Sequence, residues 1–151
     1  MSFTFRPYTP EDRAGCVALF RANTPSWFAP HELEQYESFL DEGPVAYFLM
    51  FDESGTLTGA GGVEVESARS VGWLTWGMVD PTRHGLGLGK SLLEFRLEQL
   101  RANLHVSRVC IDTSQLTAPF YEKYGFTTQR IIPDGYAKGL HRHEMELRFT
   151  A

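Results

Sequence analysis

The chain has 151 residues, 42% hydrophobic and 22% charged, a composition that suits an ordinary globular domain with a core needing no disulfide or metal support. Its 14 Lys and Arg stand against 19 Asp and Glu for a net charge of -5, which removes most of the attraction behind non-specific nucleic-acid binding and argues against DNA or RNA as a partner. Cys16 and Cys110 lack a second Cys or His at metal spacing and read as core thiols. With no basic-then-apolar leader and no run of about 18 apolar residues, a cytoplasmic protein without membrane contact is expected.

Phe3 and Phe5 alternate with polar residues ahead of Pro7, as in a short strand. Thr9 reads as the N-cap of a helix with Pro10 at its first position and Glu11 and Asp12 near its positive end. This helix carries Cys16, Val17, Leu19 and Phe20 and ends near Asn23, before Thr24, Pro25 and Ser26. Pro30 opens a second helix, with Leu33, Tyr36, Phe39 and Leu40 on one face and Gly43 past its end. Residues 45–51, 57–66 and 71–79 follow as three strands of an antiparallel meander, the first two joined by the turn at 52–55.

The period then becomes helical over 88–104, where Leu93, Leu97, Leu100 and Leu104 form a stripe widened by Leu92 and Phe95. Beyond it come a buried-strand run at 108–112, a short helix at 119–124 stopped by Gly125, a strand at 126–132 and a last strand at 141–149. That last strand puts His141, His143, Met145, Leu147 and Phe149 on one face. The order β-α-α-β-β-β-α-β-α-β-β predicts an α/β (α+β) fold with a mixed sheet of about seven strands flanked by helices. A single domain over 1–151 is expected.

The most informative stretch is VDPTRHGLGLGKSLL, residues 79–93, with Gly85, Gly87 and Gly89 between a strand end and a long helix. Alternate glycines let the backbone turn with unusual dihedrals and present successive N–H groups, and the helix start adds its positive dipole end. Together they make a cradle for phosphates. Arg83, His84 and Lys90 add positive charge. A P-loop is excluded because only three residues separate Gly85 from Gly89, and a dinucleotide fingerprint because Lys90 stands where its third glycine belongs. A glycine-rich connection without a ligand is the plainer alternative.

A strand, then V-x-P, then G-x-G-x-x-L-L on a helix resembles the acetyl-CoA signature of the GNAT superfamily of N-acetyltransferases. SQLTAPFYEKYGF at 114–126 is similar to a second segment of that family, and the resemblance covers nearly the whole chain. It implies that backbone amides of Gly85, Leu86, Gly87, Leu88, Gly89, Lys90 and Ser91 hold the pyrophosphate of acetyl-CoA. Gly77, Met78 and Val79 would bond the pantetheine arm as an added strand would. His84 replaces the usual Gln or Arg, with Arg83 as a source of charge, and Ser114 and Thr117 replace the usual Asn and Ala. Tyr121 stands where the family commonly has the acid that protonates the leaving thiolate, and otherwise reads as a packing residue.

The resemblance further implies a small-molecule or peptide amine as acceptor, no metal, and compatibility with a homodimer. No general base appears on strand 71–79. Glu64, Glu66, Asp112, His141 and His143 are the candidates elsewhere, beside water. The acceptor pocket is expected between 23–28, with Trp27 and Phe28, and the final hairpin carrying Asp134 and Tyr136; Trp27 and Phe28 stapling two helices is the alternative. That missing base keeps open a non-catalytic acyl-CoA sensor, and a nucleotide-binding module is a third reading.

Overall fold

In a computed structural model the described residues are 2–24, 26–83 and 86–149. His84 and Gly85 of the glycine turn, and Pro25 of the first loop, lie outside them. Seven strands form one mixed sheet in the order β1-β2-β3-β4-β5-β7-β6, as expected from the sequence. They are β1 (Thr4–Pro7), β2 (Tyr47–Phe51), β3 (Leu57–Glu66), β4 (Val71–Val79), β5 (Arg108–Ser114), β6 (Thr127–Ala137) and β7 (Leu140–Arg148). The helices are α1 (Arg13–Ala22), α2 (Glu32–Asp41), α3 (Leu88–Arg101) and α4 (Ala118–Lys123). The chain groups into two compact units, one formed by residues up to Val63 with Thr75–Gln99, the other by Glu64–Leu74 with the chain from Leu100 onward.

In the first unit β2 pairs antiparallel with β1 and β3, and apolar residues alternate to its two faces. Tyr47 and Leu49 join Cys16, Phe20, Tyr36, Leu40 and Met78 in the α1–α2 core. Met50 turns the other way to Leu88 and Leu92 of α3, with Phe5 and Val79 against them. Phe95 stacks on Phe5 at 4.1 Å and meets Phe48 edge-on at 5.0 Å. Burial pushes the Cys16 thiol up to about 11, in keeping with a packing role.

In the second unit β5 pairs antiparallel with β7 along its length, β7 pairs with β6, and β5 pairs parallel with β4 over Val71–Trp73. Val109, Ile111, Phe126 and Met145 are buried, and Arg108 meets the buried Glu146 at 2.7 Å.

Element ends differ from the sequence expectation for local reasons. Pro10 starts a 3-10 turn rather than α1, because the Asp12 carboxylate accepts from the Thr9 amide, the Thr9 hydroxyl and Arg6 and so tightens that turn. The α2 helix starts at Glu32, whose carboxylate accepts the Ala29 amide at 2.8 Å. The leucine stripe stops at Leu100, with α3 ending at Arg101 and Leu104 98% exposed. Strand β6 runs on to Ala137, taking in Pro133 where its register with β7 is irregular between Ile132 and Ala137.

The Arg6 hydrogen bond is the main influence holding the Asp12 carboxyl at about 2, with burial opposing and Thr9 adding to it. The group's folded value lies below its unfolded one, so its contribution is complete above the ordinary carboxyl range and is lost as pH falls toward about 2. Solvent screening at half-exposed Arg6 keeps this to about 1 kcal/mol. Acid denaturation of Arg6→Ala should therefore show a smaller loss of stability between about pH 4 and about pH 2 than the parent chain.

Candidate functional site

The residue on which the site turns is Trp76, in the middle of β4 with φ of 42°. A bulky side chain in this left-handed region costs about 1–2 kcal/mol, and the kink interrupts the alternation of the strand as a bulge does. The Thr75 hydroxyl and the Trp76 ring both lie on the α1–α2 side, Thr75 beside Gly62 and Tyr47, Trp76 among Phe20, Phe28, Tyr36 and Phe39. Gly77 then backs onto Arg96 of α3, and Met78 returns to the α1–α2 core.

A buried hydroxyl relay holds this conformation. Tyr47 donates to the Trp76 carbonyl at 2.8 Å, and with that proton committed, Tyr36 donates to the Tyr47 oxygen at 2.8 Å. Both rings are 0% exposed, and burial pushes both phenols well above the ordinary tyrosine range, so they stay neutral donors. The end of the strand is pinned as well. Buried Asn23 donates from Nδ2 to the Leu19 carbonyl at 2.9 Å and to the Val79 carbonyl at 3.1 Å.

After β4 the Asp80 carboxylate accepts from the Thr82 amide and hydroxyl, at 3.0 and 2.7 Å, to close a turn. Arg83 reaches Asp52 at 2.6 Å and Asp80 at 3.7 Å. Its charge is thus already engaged, and hydrogen bonds from Ser54, Thr56 and Arg83 hold the Asp52 carboxyl far below the usual range. Gly87 has φ of 71° with open space where a Cβ would stand. Leu88 is anchored in the core at 3% exposure, and the Ser91 amide donates to the Gly87 carbonyl at 3.0 Å. The amides of Leu88, Gly89 and Lys90 occupy the first helical turn, where no intrahelical carbonyl reaches them. Leu86 is exposed, and exposed Lys90 lies 3.8 Å from Glu94.

On the acceptor side expected from the first loop, Phe28 stacks on Phe20 at 4.8 Å and packs on the α1–α2 core, a stapling role. Trp27 is half-buried, with its amide donating to the Asn23 carbonyl. A cleft of about 270 Å3 opens beside them, lined by Phe20, Arg21, Thr24, Pro30 and Leu33.

In the second unit Tyr121 is 8% exposed, edge-on to Phe120 at 5.1 Å and to Phe126 at 5.5 Å. Ser114 ends β5, and its hydroxyl accepts the Leu116 amide at 3.2 Å, while Thr117 hydrogen-bonds Thr113 through their hydroxyls. Among the proposed bases, His141 accepts the Asp134 amide on Nδ1 at 3.0 Å. Its neutral ring therefore carries its proton on Nε2 and has no free basic nitrogen. His143 Nδ1 lies 3.3 Å from the Thr128 hydroxyl, and Glu66 accepts the Trp73 indole at 3.2 Å. Glu64 is exposed, while the protein around Asp112, followed by the charge of Glu144, raises its carboxyl above the ordinary range. Among the described residues no group of three His, Cys, Asp or Glu side chains is placed to hold a metal, and no helix is long and apolar enough to cross a membrane.

Comparison with known proteins fits this architecture. The chain belongs to the acetyltransferase (GNAT) domain family, whose model matches residues 17–149. It is 30% identical over 89 residues to glucosamine 6-phosphate N-acetyltransferase of Trypanosoma brucei brucei, a match spanning 56% of this chain and 60% of that relative's length. Among solved structures, Ard1 from Thermoplasma volcanium superposes with a TM-score of 0.80 at 18% identity over the whole of both chains. A chain of the NatC complex bound to Gag peptide and CoA gives 0.78 at 21% identity, over 99% of this chain and 100% of that one. At these identities the likeness is one of fold.

Replacing Tyr47 by Phe keeps the ring but leaves the half-buried Trp76 carbonyl and the buried Tyr36 hydroxyl short of a partner. Urea unfolding should show a loss of about 1–3 kcal/mol; an unchanged midpoint would mean the relay does not hold the bulge.

Proposed function

We propose that the protein transfers the acetyl group of acetyl-CoA to a primary amine of a small molecule or peptide. The observation that carries this reading is the left-handed Gly87, open on its outer side, leading into the first turn of α3 directly after β4. The amides from Gly85 to Ser91 take the pyrophosphate, and Gly77, Met78 and Val79 take the pantetheine arm through their backbone. Family membership, and the same fold in a chain of the NatC complex bound to CoA, support this assignment of the donor.

In the reaction the neutral amine attacks the thioester carbonyl, forming the C–N bond and a tetrahedral oxyanion that β4 amides near Met78 stabilise. Collapse breaks the C–S bond, and the Tyr121 phenol gives its proton to the departing sulfur. The amine's surplus proton leaves to water, which also returns the phenolic proton. Occupation of His141 Nδ1 by a backbone amide favours water over that imidazole. For the acceptor, the mainly apolar lining of the cleft beside α1 and α2 suits an amine with an apolar body, and the curated relative's amine substrate supports the acceptor class. The absence of a carboxylate or imidazole from β4 is the one feature that favours the second reading, an acyl-CoA sensor.

Two substitutions test the reading. Gly87→Val puts a β-branched residue at positive φ in the cradle, and calorimetry should show acetyl-CoA affinity reduced about tenfold or more. Tyr121→Phe should keep that affinity while lowering amine-dependent thiol release about 100 to 10,000-fold. A fully active Tyr121→Phe would assign the residue to packing, and acetyl-CoA binding without thiol release from any amine would favour the sensor.

A further inference from the structure

Arg96 is not used by the reaction described above, yet it is a charged side chain buried in the first unit. It sits on α3 inside the apolar stripe, three and four residues beyond Leu93 and Leu92 and four before Leu100, where the pattern calls for another aliphatic residue. Its exposure is 2%, and its Nε and Nη1 atoms are buried without a hydrogen-bond partner among the described residues. An unpartnered buried charge is strongly unfavourable compared with an apolar side chain of similar volume.

The sheet is nevertheless shaped around it. A Cβ added at Gly61 would stand 3.1 Å from Arg96 Cδ and Nε, and one added at Gly77 would stand 2.7 Å from Nη2 and 2.8 Å from Nη1. Two glycines on adjacent strands thus make the bed in which the guanidinium lies, directly against the backbone of Gly77. Tyr47 holds the preceding carbonyl, that of Trp76, from the opposite face of the sheet.

We infer that Arg96 is an electrostatic positioning residue, whose buried positive charge behind Gly77 favours negative charge developing on an acyl oxygen at the Gly77–Val79 amides. The inference rests on the proposed acetyl transfer. It needs no contact between Arg96 and the ligand, since a charge in a water-excluded site acts over several ångströms with little screening. The orphaned Nε and Nη1 follow from this role, because a carboxylate partner would cancel the field at β4. The Gly61 and Gly77 bed lets the charge lie directly against the strand.

The test compares Arg96→Met, Arg96→Gln and Arg96→Lys with the parent chain, using acetyl-CoA labelled with 13C at the thioester carbonyl. In the parent chain the bound carbonyl should shift from its free position by infrared and 13C NMR. That shift should shrink in Met and Gln and persist in Lys, while calorimetric affinity for acetyl-CoA stays within about threefold in all. At saturating acetyl-CoA and amine, kcat should fall about 10 to 100-fold in Met and Gln and less than about fivefold in Lys, and the Met variant should melt no lower than the parent chain. If Met does not fold, the Gln and Lys pair makes the same comparison. A carbonyl shift that is the same in the charged and neutral variants, a kcat loss that tracks lowered Tm, or a loss of acetyl-CoA affinity in place of kcat would each overturn the inference while leaving the donor assignment standing. Failure of the parent chain to bind acetyl-CoA would instead remove the proposed function on which it rests.

Discussion

The left-handed backbone at Trp76 is the constraint around which the first unit is organised. Without it, β4 would alternate strictly, and Thr75 and Trp76 would occupy opposite faces. With it, both lie on the α1–α2 side, Gly77 turns its open face to α3, and Met78 and Val79 fall into the two cores. Such a kink persists only when its surroundings over-determine it. Here the surroundings are a hydrogen bond from Tyr47, a cage of aromatic rings from α1, α2 and the first loop, and Asn23 at the strand's end.

In the proposed reading the same constraint links fold to chemistry. A strand fixed at Trp76 and again at Val79 presents the amides between them in one rigid geometry, and prior fixing of dipoles is what makes charge stabilisation effective without reorganisation during the reaction. The chain then leaves β4 through the Asp80 turn, held by Thr82, Arg83 and Asp52, toward the open Gly87 and the anchored start of α3. In the proposed reading, donor phosphates and acyl carbonyl are thus held by consecutive pieces of one short segment.

The sheet and the helix order were legible in the sequence because each rests on local signals, periodicity of two or 3.6 and the turn residues between elements. Membership of the acetyltransferase (GNAT) domain family agrees with the motifs at 79–93 and 114–126. The aromatic relay was not legible. Tyr36 and Trp76 are far apart in the chain, and nothing in a window around either shows that a hydroxyl and a carbonyl will meet through Tyr47. The Trp76 kink was hidden for a similar reason, since a bulky residue in a strand-like run carries no propensity for positive φ. Arg96 did leave a trace, as a charge within an otherwise apolar helical stripe, although its glycine partners come from two other strands. His141 shows the converse, one of several candidate bases in sequence whose Nδ1 is engaged by a turn amide in the fold.

In the proposed reading the rigid segment after Trp76 and the first turn of α3 together receive the donor. Residue-resolved amide hydrogen exchange with and without CoA tests it most directly. CoA should slow exchange at Gly77, Met78 and Val79 and at Leu88 through Ser91, with little change on α2. CoA binding that leaves both stretches unprotected, or that protects only residues elsewhere, would contradict it.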